Sequence, residues 1–346
     1  MTNVNFPSSS GFPSLSWTNV GKMRNNGWEF NINGTDVVKV GKFRLGFNVT
    51  FANNKNEIVE MEPTALANLN KDFDNNNGSY LTRVQLNNPF GAIYGFRYKG
   101  VYQYSDYSEV EVPGVSGPNA PVARDENGNV IRDKAGFTIP MVFGYDKTTN
   151  TELYEFQGGD AIYEDINHDG NINELDIVYL GSSLPKITGG WGLKLSYGRW
   201  SLNAQFNFRA GNKVVNRARM DAESMHNNNN QAASVNWRWR TEGQLAEIPR
   251  ALYNKGFNYL GSDRFVEDAS FMRLNYLSLG YSLDPKLLRR IGVTSLSINL
   301  NASNLFCLTN YSGADPEIGY GGMGVATDGA KTPRSRQFTA RVQIGF

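Results

Sequence analysis

The residues best placed to do chemistry lie in the run Asp165-Ile-Asn-His-Asp-Gly-Asn-Ile-Asn-Glu-Leu-Asp176. Oxygen-bearing side chains fill the first, third and fifth places of a twelve-residue frame, and Gly170 in the sixth place lets the chain reverse. Asp165, Asn167 and Asp169 can then converge on one cation. Asn171 offers its backbone carbonyl, Asn173 acts through a water, and Asp176 closes the shell. The pattern predicts a structural calcium ion within an EF-hand-like segment, residues 160–181. Its last ligand is Asp, shorter than the usual Glu, which weakens bidentate closure. An Asn/Asp/Gly-rich turn held by side-chain-to-backbone hydrogen bonds is the competing reading of the same residues.

Aromatic residues supply the second candidate. Trp237, Trp239, Tyr253 and Tyr259 fall in one long connection, and Tyr311 and Tyr320 in another, beside the glycine cluster 319–324. Aromatic rings beside Asn and Arg suit contact with a sugar, a peptide or a covering protein, and they suit loop-to-loop packing equally well. No nucleophile, base and orienting group can be assembled. Cys307 is the single cysteine and has no histidine partner nearby in sequence, and His168 and His226 are the only histidines. An enzyme is not expected.

These candidates need elements to position them. Phe338, Ala340, Val342, Ile344 and Phe346 alternate with polar residues to the end of the chain. Period-two alternation sets one face of a strand in an apolar medium and the other in a polar one. The same pattern recurs at Phe43–Phe51, at Trp191–Tyr197 and Trp200–Phe208 around the turn Gly198-Arg199, near 269–283, and at Leu296–Ala302, with a short strand at Trp28–Ile32. Connections alternate short and long: about 34–41, 198–199 and 284–294 are short, whereas 52–188, 209–268 and 307–335 are long. Outer-membrane barrels have short periplasmic turns and long external loops. The strand-like stretch 91–104 lacks clean alternation and is assigned to the external layer.

Composition fits this pattern. The net charge of +1 gives no basic surplus for nucleic acid, so no nucleic-acid partner is expected. A mean hydropathy of −0.45 excludes a helical membrane protein but not a barrel, whose alternating strands average to a polar score. A soluble β-sandwich also has alternating strands. It stays open here, either as a secreted calcium-binding, dockerin-like module or as a carbohydrate-binding module.

Several blocks, taken in order, resemble one family. They are 159–176 followed by Leu180-Gly-Ser-Ser-Leu-Pro185, Trp237-Arg-Trp-Arg-Thr241 with Ile248-Pro-Arg250, Arg264–Leu274 through Tyr281, and Asn304-Leu-Phe306 through Tyr311-Ser-Gly-Ala-Asp-Pro-Glu317. Phe90–Gly100 also fits. Together they resemble the C-terminal third of the starch-utilisation (SusC/RagA-type) TonB-linked outer-membrane transporters of Bacteroidetes. The resemblance implies an all-β fold, the C-terminal part of a transmembrane antiparallel β-barrel with about seven membrane strands and long external loops. It implies a place in the outer membrane and uptake of an oligosaccharide or peptide. The implied partners are a SusD-like surface lipoprotein, TonB acting through an N-terminal part, the N-terminal barrel and plug portion, and outer-membrane lipid. A signal peptide, TonB segment and plug belong to the family pattern and are not found in residues 1–346. The chain is therefore expected to be a C-terminal piece.

Overall fold

The computed structural model describes residues 2–5, 14–63, 65–66, 84–107, 121–144, 154–321 and 324–346. Its dominant element is a seven-stranded antiparallel sheet: β1 (Gly21–Val40), β2 (Phe43–Met61), β3 (Ile187–Tyr197), β4 (Trp200–Ala210), β5 (Phe271–Ser282), β6 (Ser295–Thr309) and β7 (Gln337–Gly345). Each strand pairs with its neighbour in sequence, giving an up-and-down meander. The connections 41–42, 198–199 and 283–294 gather at one end, where Tyr197 lies opposite both Phe43 and Trp200. The three long connections gather at the other end.

Register sorts the side chains cleanly. Leu45, Leu195, Leu202, Leu279, Leu300 and Ala340 form one cross-strand row, and Phe47, Leu193, Ala204, Leu277, Ala302 and Phe338 form the next. On the opposite face, Arg44, Ser196, Ser201, Gly280, Asn299 and Arg341 form a polar row. A one-residue slip would exchange the two faces, so this register is strongly specified. Rings fill gaps on the apolar face: Phe51 and Phe208 meet at 5.4 Å over Gly189, and Trp191 stacks on Phe206 at 3.9 Å. On the polar face, Gln205 Nε2 donates to Asn48 Oδ1 at 2.9 Å across Gly192, where a Cβ would collide with both amides.

Two strands are longer than alternation alone predicts. β1 runs past Ile32 to Val40 because a bulge between Gly34 and Val38, with Asp36 at φ 52°, interrupts the period without ending the pairing. The expected short connection 34–41 is thereby reduced to the turn at 41–42. β2 continues ten residues beyond Phe51 to Met61 through the polar run Asn53-Asn-Lys-Asn56, which lies past the apolar band, where no alternation is required.

The apolar face of the sheet has no cover among the described residues: Leu300, Val342 and Phe338 are 54%, 59% and 71% exposed. A soluble sandwich would bury such a face beneath a second sheet. The buried core lies instead in the long connections. Tyr94, Phe96, Phe143, Phe156, Tyr163 and Ile172 of the first pack with Leu260 of the second. Val214 and Ala269 pack with Tyr311, Ile318 and Ala326 of the third, while Ile93, Val215 and Val325 join all three. Ala92–Gly95 pairs with Val178–Ser182, and Tyr98–Val101 with Ala161–Tyr163, so the stretch 91–104 belongs to this external layer. Among the described residues of 52–188, none beyond β2 and the start of β3 joins the large sheet.

Candidate functional site

The loop 165–176 folds around its own side chains. Asp165 accepts from the backbone N–H groups of Asp169 (3.2 Å) and Gly170 (2.8 Å). Asn167 Oδ1 also accepts from the Asp169 N–H at 3.2 Å, and its amide donates to Asp169 Oδ2 at 3.1 Å. Asp169 Oδ1 accepts from the Asn171 N–H at 2.8 Å. Gly170 has φ +78°, and a Cβ there would lie 2.7 Å from Ala123 Cβ, so only glycine fits. Ile172 is fully buried and ties the loop to the external core.

Asp176 comes back over the start of the loop. It accepts from the N–H groups of Ile166 and Asn173, both at 2.8 Å, and the Asn173 side chain caps the short helical turn that follows. Burial pushes the Asp176 carboxyl up to about 6, and the nearby negative charges of Asp165 and Asp169 add to the rise. Asp165, Asn167, Asp169 and Asp176 are thus drawn to one end of the loop. Their oxygens are engaged by backbone N–H groups, and the Asn171 carbonyl accepts from Asn173 Nδ2 at 3.1 Å. The buried Asn171 Oδ1 has no hydrogen-bond partner. Among the described residues, no three Asp, Glu, His or Cys side chains converge as a metal centre. The donor set is a mixture of carboxylates, amides and a carbonyl, the oxygen chemistry that suits calcium.

The six aromatic residues divide. Trp237, Tyr253 and Tyr320 are exposed, at 79%, 58% and 46%. Trp239, Tyr259 and Tyr311 are buried in the external layer. Trp239 Nε1 donates to Gln103 Oε1 at 3.1 Å and its ring covers Gly159; Tyr259 lies 4.4 Å from the His226 ring; the Tyr311 hydroxyl donates to Asp328 at 2.7 Å. In the glycine cluster 319–324, residues 322 and 323 lie outside the described residues.

Two charged clusters carry roles that alternation and loop length did not reveal. Asp160, fully buried in the first loop, binds Arg250 of the second through Nε at 2.7 Å. At the outer rim of the polar face, Arg273 of β5 binds Asp315 at 2.5 Å, while Arg334 binds Glu317 at 2.8 Å. These bonds fold the third loop over the mouth of the sheet. The signal was present in the blocks 159–176, Ile248-Pro-Arg250, Arg264–Leu274 and Tyr311–Glu317, whose charged residues sit beside small and apolar ones.

No protein-family model matches the sequence. The TonB-dependent receptor P39 of Formosa agariphila is 26% identical across 99% of this chain, which spans 32% of that receptor. The TonB-dependent receptor P26 of the same organism is 26% identical across 100% of this chain, 31% of its own length. The TonB-dependent receptor SusC of Bacteroides thetaiotaomicron is 22% identical across 100% of this chain, 29% of its length. The solved structure of the RagAB peptide transporter superposes over 99% of this chain and 31% of that chain, with 23% identity and a TM-score of 0.67. That superposition shows the fold. The chain therefore spans about a third of the relatives it matches, and those relatives are receptors and transporters.

Proposed function

We propose that this chain, related over its whole length to TonB-dependent outer-membrane receptors of the SusC and RagA type, supplies the C-terminal barrel wall and external layer of an importer of oligosaccharides or peptides. The sheet is part of an outer-membrane β-barrel. What carries the importer reading is the combination of an uncovered apolar face, a polar inner face and a folded layer built from all three long loops. An apolar sheet face of this kind is stable in lipid, where every backbone group must still be paired. β1 and β7 each have one edge without a partner among the described residues, and an N-terminal barrel portion would pair with both. A SusD-like lipoprotein would cover the external layer, and TonB would act through an N-terminal plug.

Trp237, Tyr253 and Tyr320 are the aromatics positioned to touch a substrate or the covering lipoprotein. Within the complete transporter, converting all three to alanine should lower uptake of its oligosaccharide or peptide about five-fold or more, since truncating one effective interface aromatic removes roughly 1 kcal/mol or more. Surface abundance should not change. Recovery of the chain in a soluble fraction without detergent, with cooperative unfolding, would overturn the membrane reading. Unchanged uptake in the triple variant would remove the aromatics from the substrate path.

Calcium is the cofactor that the loop supports. Asp165, Asn167, Asp169, the Asn171 carbonyl and Asp176 would hold it, and its charge would relieve the repulsion around the buried Asp176. The raised carboxyl sets the sign of the pH dependence. In the metal-free protein the loop is best held below about 3.8 and loses stability as pH rises toward about 6, because ionised Asp176 is favoured in the unfolded chain. Added calcium should abolish that loss at neutral pH. Amide exchange across 165–176, measured at acid and neutral pH with and without calcium, is the check. Protection at neutral pH that ignores calcium would leave the hydrogen-bonded turn as the complete account of the loop.

A further inference from the structure

Beside the outer end of β2 lies a cleft of about 410 Å³, formed where the strand rises past the apolar band toward the external layer. Asn53, Lys55 and Asn56 line one wall, and Tyr179, Ser182 and Lys186 the other. Among the described residues, the lining contains two lysines and no carboxylate. Its walls are fixed. Asn53 Nδ2 donates to the Lys186 carbonyl at 2.6 Å, and Asn56 Oδ1 accepts from the Phe90 N–H at 2.9 Å. Tyr179 is 46% exposed, and its ring is held edge-on against Tyr94 at 5.9 Å.

Position decides what such a cleft meets. Asn53 and Lys55 share the strand face of Phe47, Val49 and Phe51, because β2 pairs with β3 in unbroken register up to Ala52 and with β1 through Asn53 and Lys55. That is the lipid face. Asn53 pairs with the exposed Trp28, an aromatic of the kind that marks a bilayer interface. Two to four residues beyond Phe51 is roughly 7–14 Å along a strand, and less in height once the strand is tilted. The cleft therefore stands at the level of the outer headgroups, directly above the apolar surface made by Phe51 and Phe208.

We propose that this cleft binds the phosphorylated saccharide headgroup of an outer-leaflet glycolipid, with its acyl chains lying down the Phe51 and Phe208 surface. Lys55 and Lys186 neutralise the phosphate, the Tyr179 ring stacks on a sugar face, and the asparagine amides meet its hydroxyls. This assignment rests on the barrel reading. Heat-resistant migration of the purified transporter tests that reading separately.

The test uses the complete transporter in detergent, with three probes: purified lipopolysaccharide, the same lipopolysaccharide stripped of phosphate, and its deacylated soluble oligosaccharide. Binding is read from the concentration dependence of the thermal midpoint. The intact glycolipid should bind wild type. The Lys55→Gln/Lys186→Gln pair should weaken it about 25-fold, from about five-fold for each lysine beside an anionic headgroup. Lys55→Arg/Lys186→Arg should retain binding, which separates charge from fold. The phosphate-free probe should bind wild type weakly and be indifferent to the Gln pair. Equal binding of intact glycolipid by wild type and the Gln pair would overturn the proposal. So would binding of the deacylated oligosaccharide as tight as the intact lipid, which would mark a soluble-glycan site instead.

Discussion

Asp160→Ala should open the external layer while the membrane sheet stays assembled. Asp160 accepts from the Tyr154 hydroxyl (2.7 Å), the Gln157 N–H (2.9 Å), Arg250 Nε (2.7 Å) and Nη2 (3.2 Å), and Asn258 Nδ2 (3.2 Å). Two of these donor residues lie in the first loop and two in the second, so one carboxylate joins the loops. Removing it leaves the partly buried Arg250 guanidinium without its counter-ion and takes from the Asn258 amide one of its two acceptors, the other being the Arg250 carbonyl. Breaking such a pair from one side costs about 3–5 kcal/mol. Asp160→Asn should cost less, since one acceptor oxygen survives. Limited proteolysis should cut the 211–270 connection much faster in the alanine variant, with heat-resistant migration in detergent unchanged. Equal cleavage of variant and wild type would show that the apolar core alone holds the two loops.

Arginine placed along the lipid face should report depth in the bilayer. The row of Trp200, Tyr281 and Ile298 lies at the turn end, where aromatics mark the interface. The row of Ala204, Leu277 and Ala302 lies two steps further in, near the middle of the apolar band that ends around Phe208. Leu277→Arg should therefore cost about 2–4 kcal/mol of barrel stability, and Ile298→Arg about 0–1 kcal/mol. Ser278→Arg, on the polar face beside Asn203 and Asn301, should cost least. Urea unfolding of the complete transporter in lipid vesicles gives the three values. Equal losses at Leu277 and Ser278 would mean that both faces are packed against protein.

Alternation was legible wherever lipid and lumen impose it. Phe43–Phe51, Trp200–Phe208 and Phe338–Phe346 lie along strands of the large sheet with the faces the sequence predicts. It failed where the medium is the same on both sides or the backbone is irregular. Asn53–Asn56 is strand past the apolar band, polar on both faces, and Gly34–Val38 is a bulge. The external layer was opaque for another reason. Its core joins Phe96, Phe143 and Phe156 to Leu260 across a hundred residues and more, and no local period records such pairings. The loop 165–176 was legible as a fold, because Gly170 and the spacing of Asp165, Asp169 and Asp176 dictate short hydrogen bonds. The division of the aromatics was not, since exposed Trp237 and buried Trp239 are separated by a single residue.

The separation of the buried core from the large sheet has a calorimetric consequence. Apolar side chains of the sheet are solvated by hydrocarbon in the assembled barrel, so loosening the loops does not bring them into water. Phe96, Phe143, Phe156, Tyr163 and Leu260 leave a dry interior for water when the external layer melts. The heat-capacity increment of a first, partial transition should therefore scale with the external layer alone, and its urea slope with that layer's newly wetted area. Cooling weakens burial that depends on water but leaves the pairing of backbone groups in lipid intact. The outer surface of such a barrel is thus the part that responds to temperature, while the wall beneath it keeps its shape.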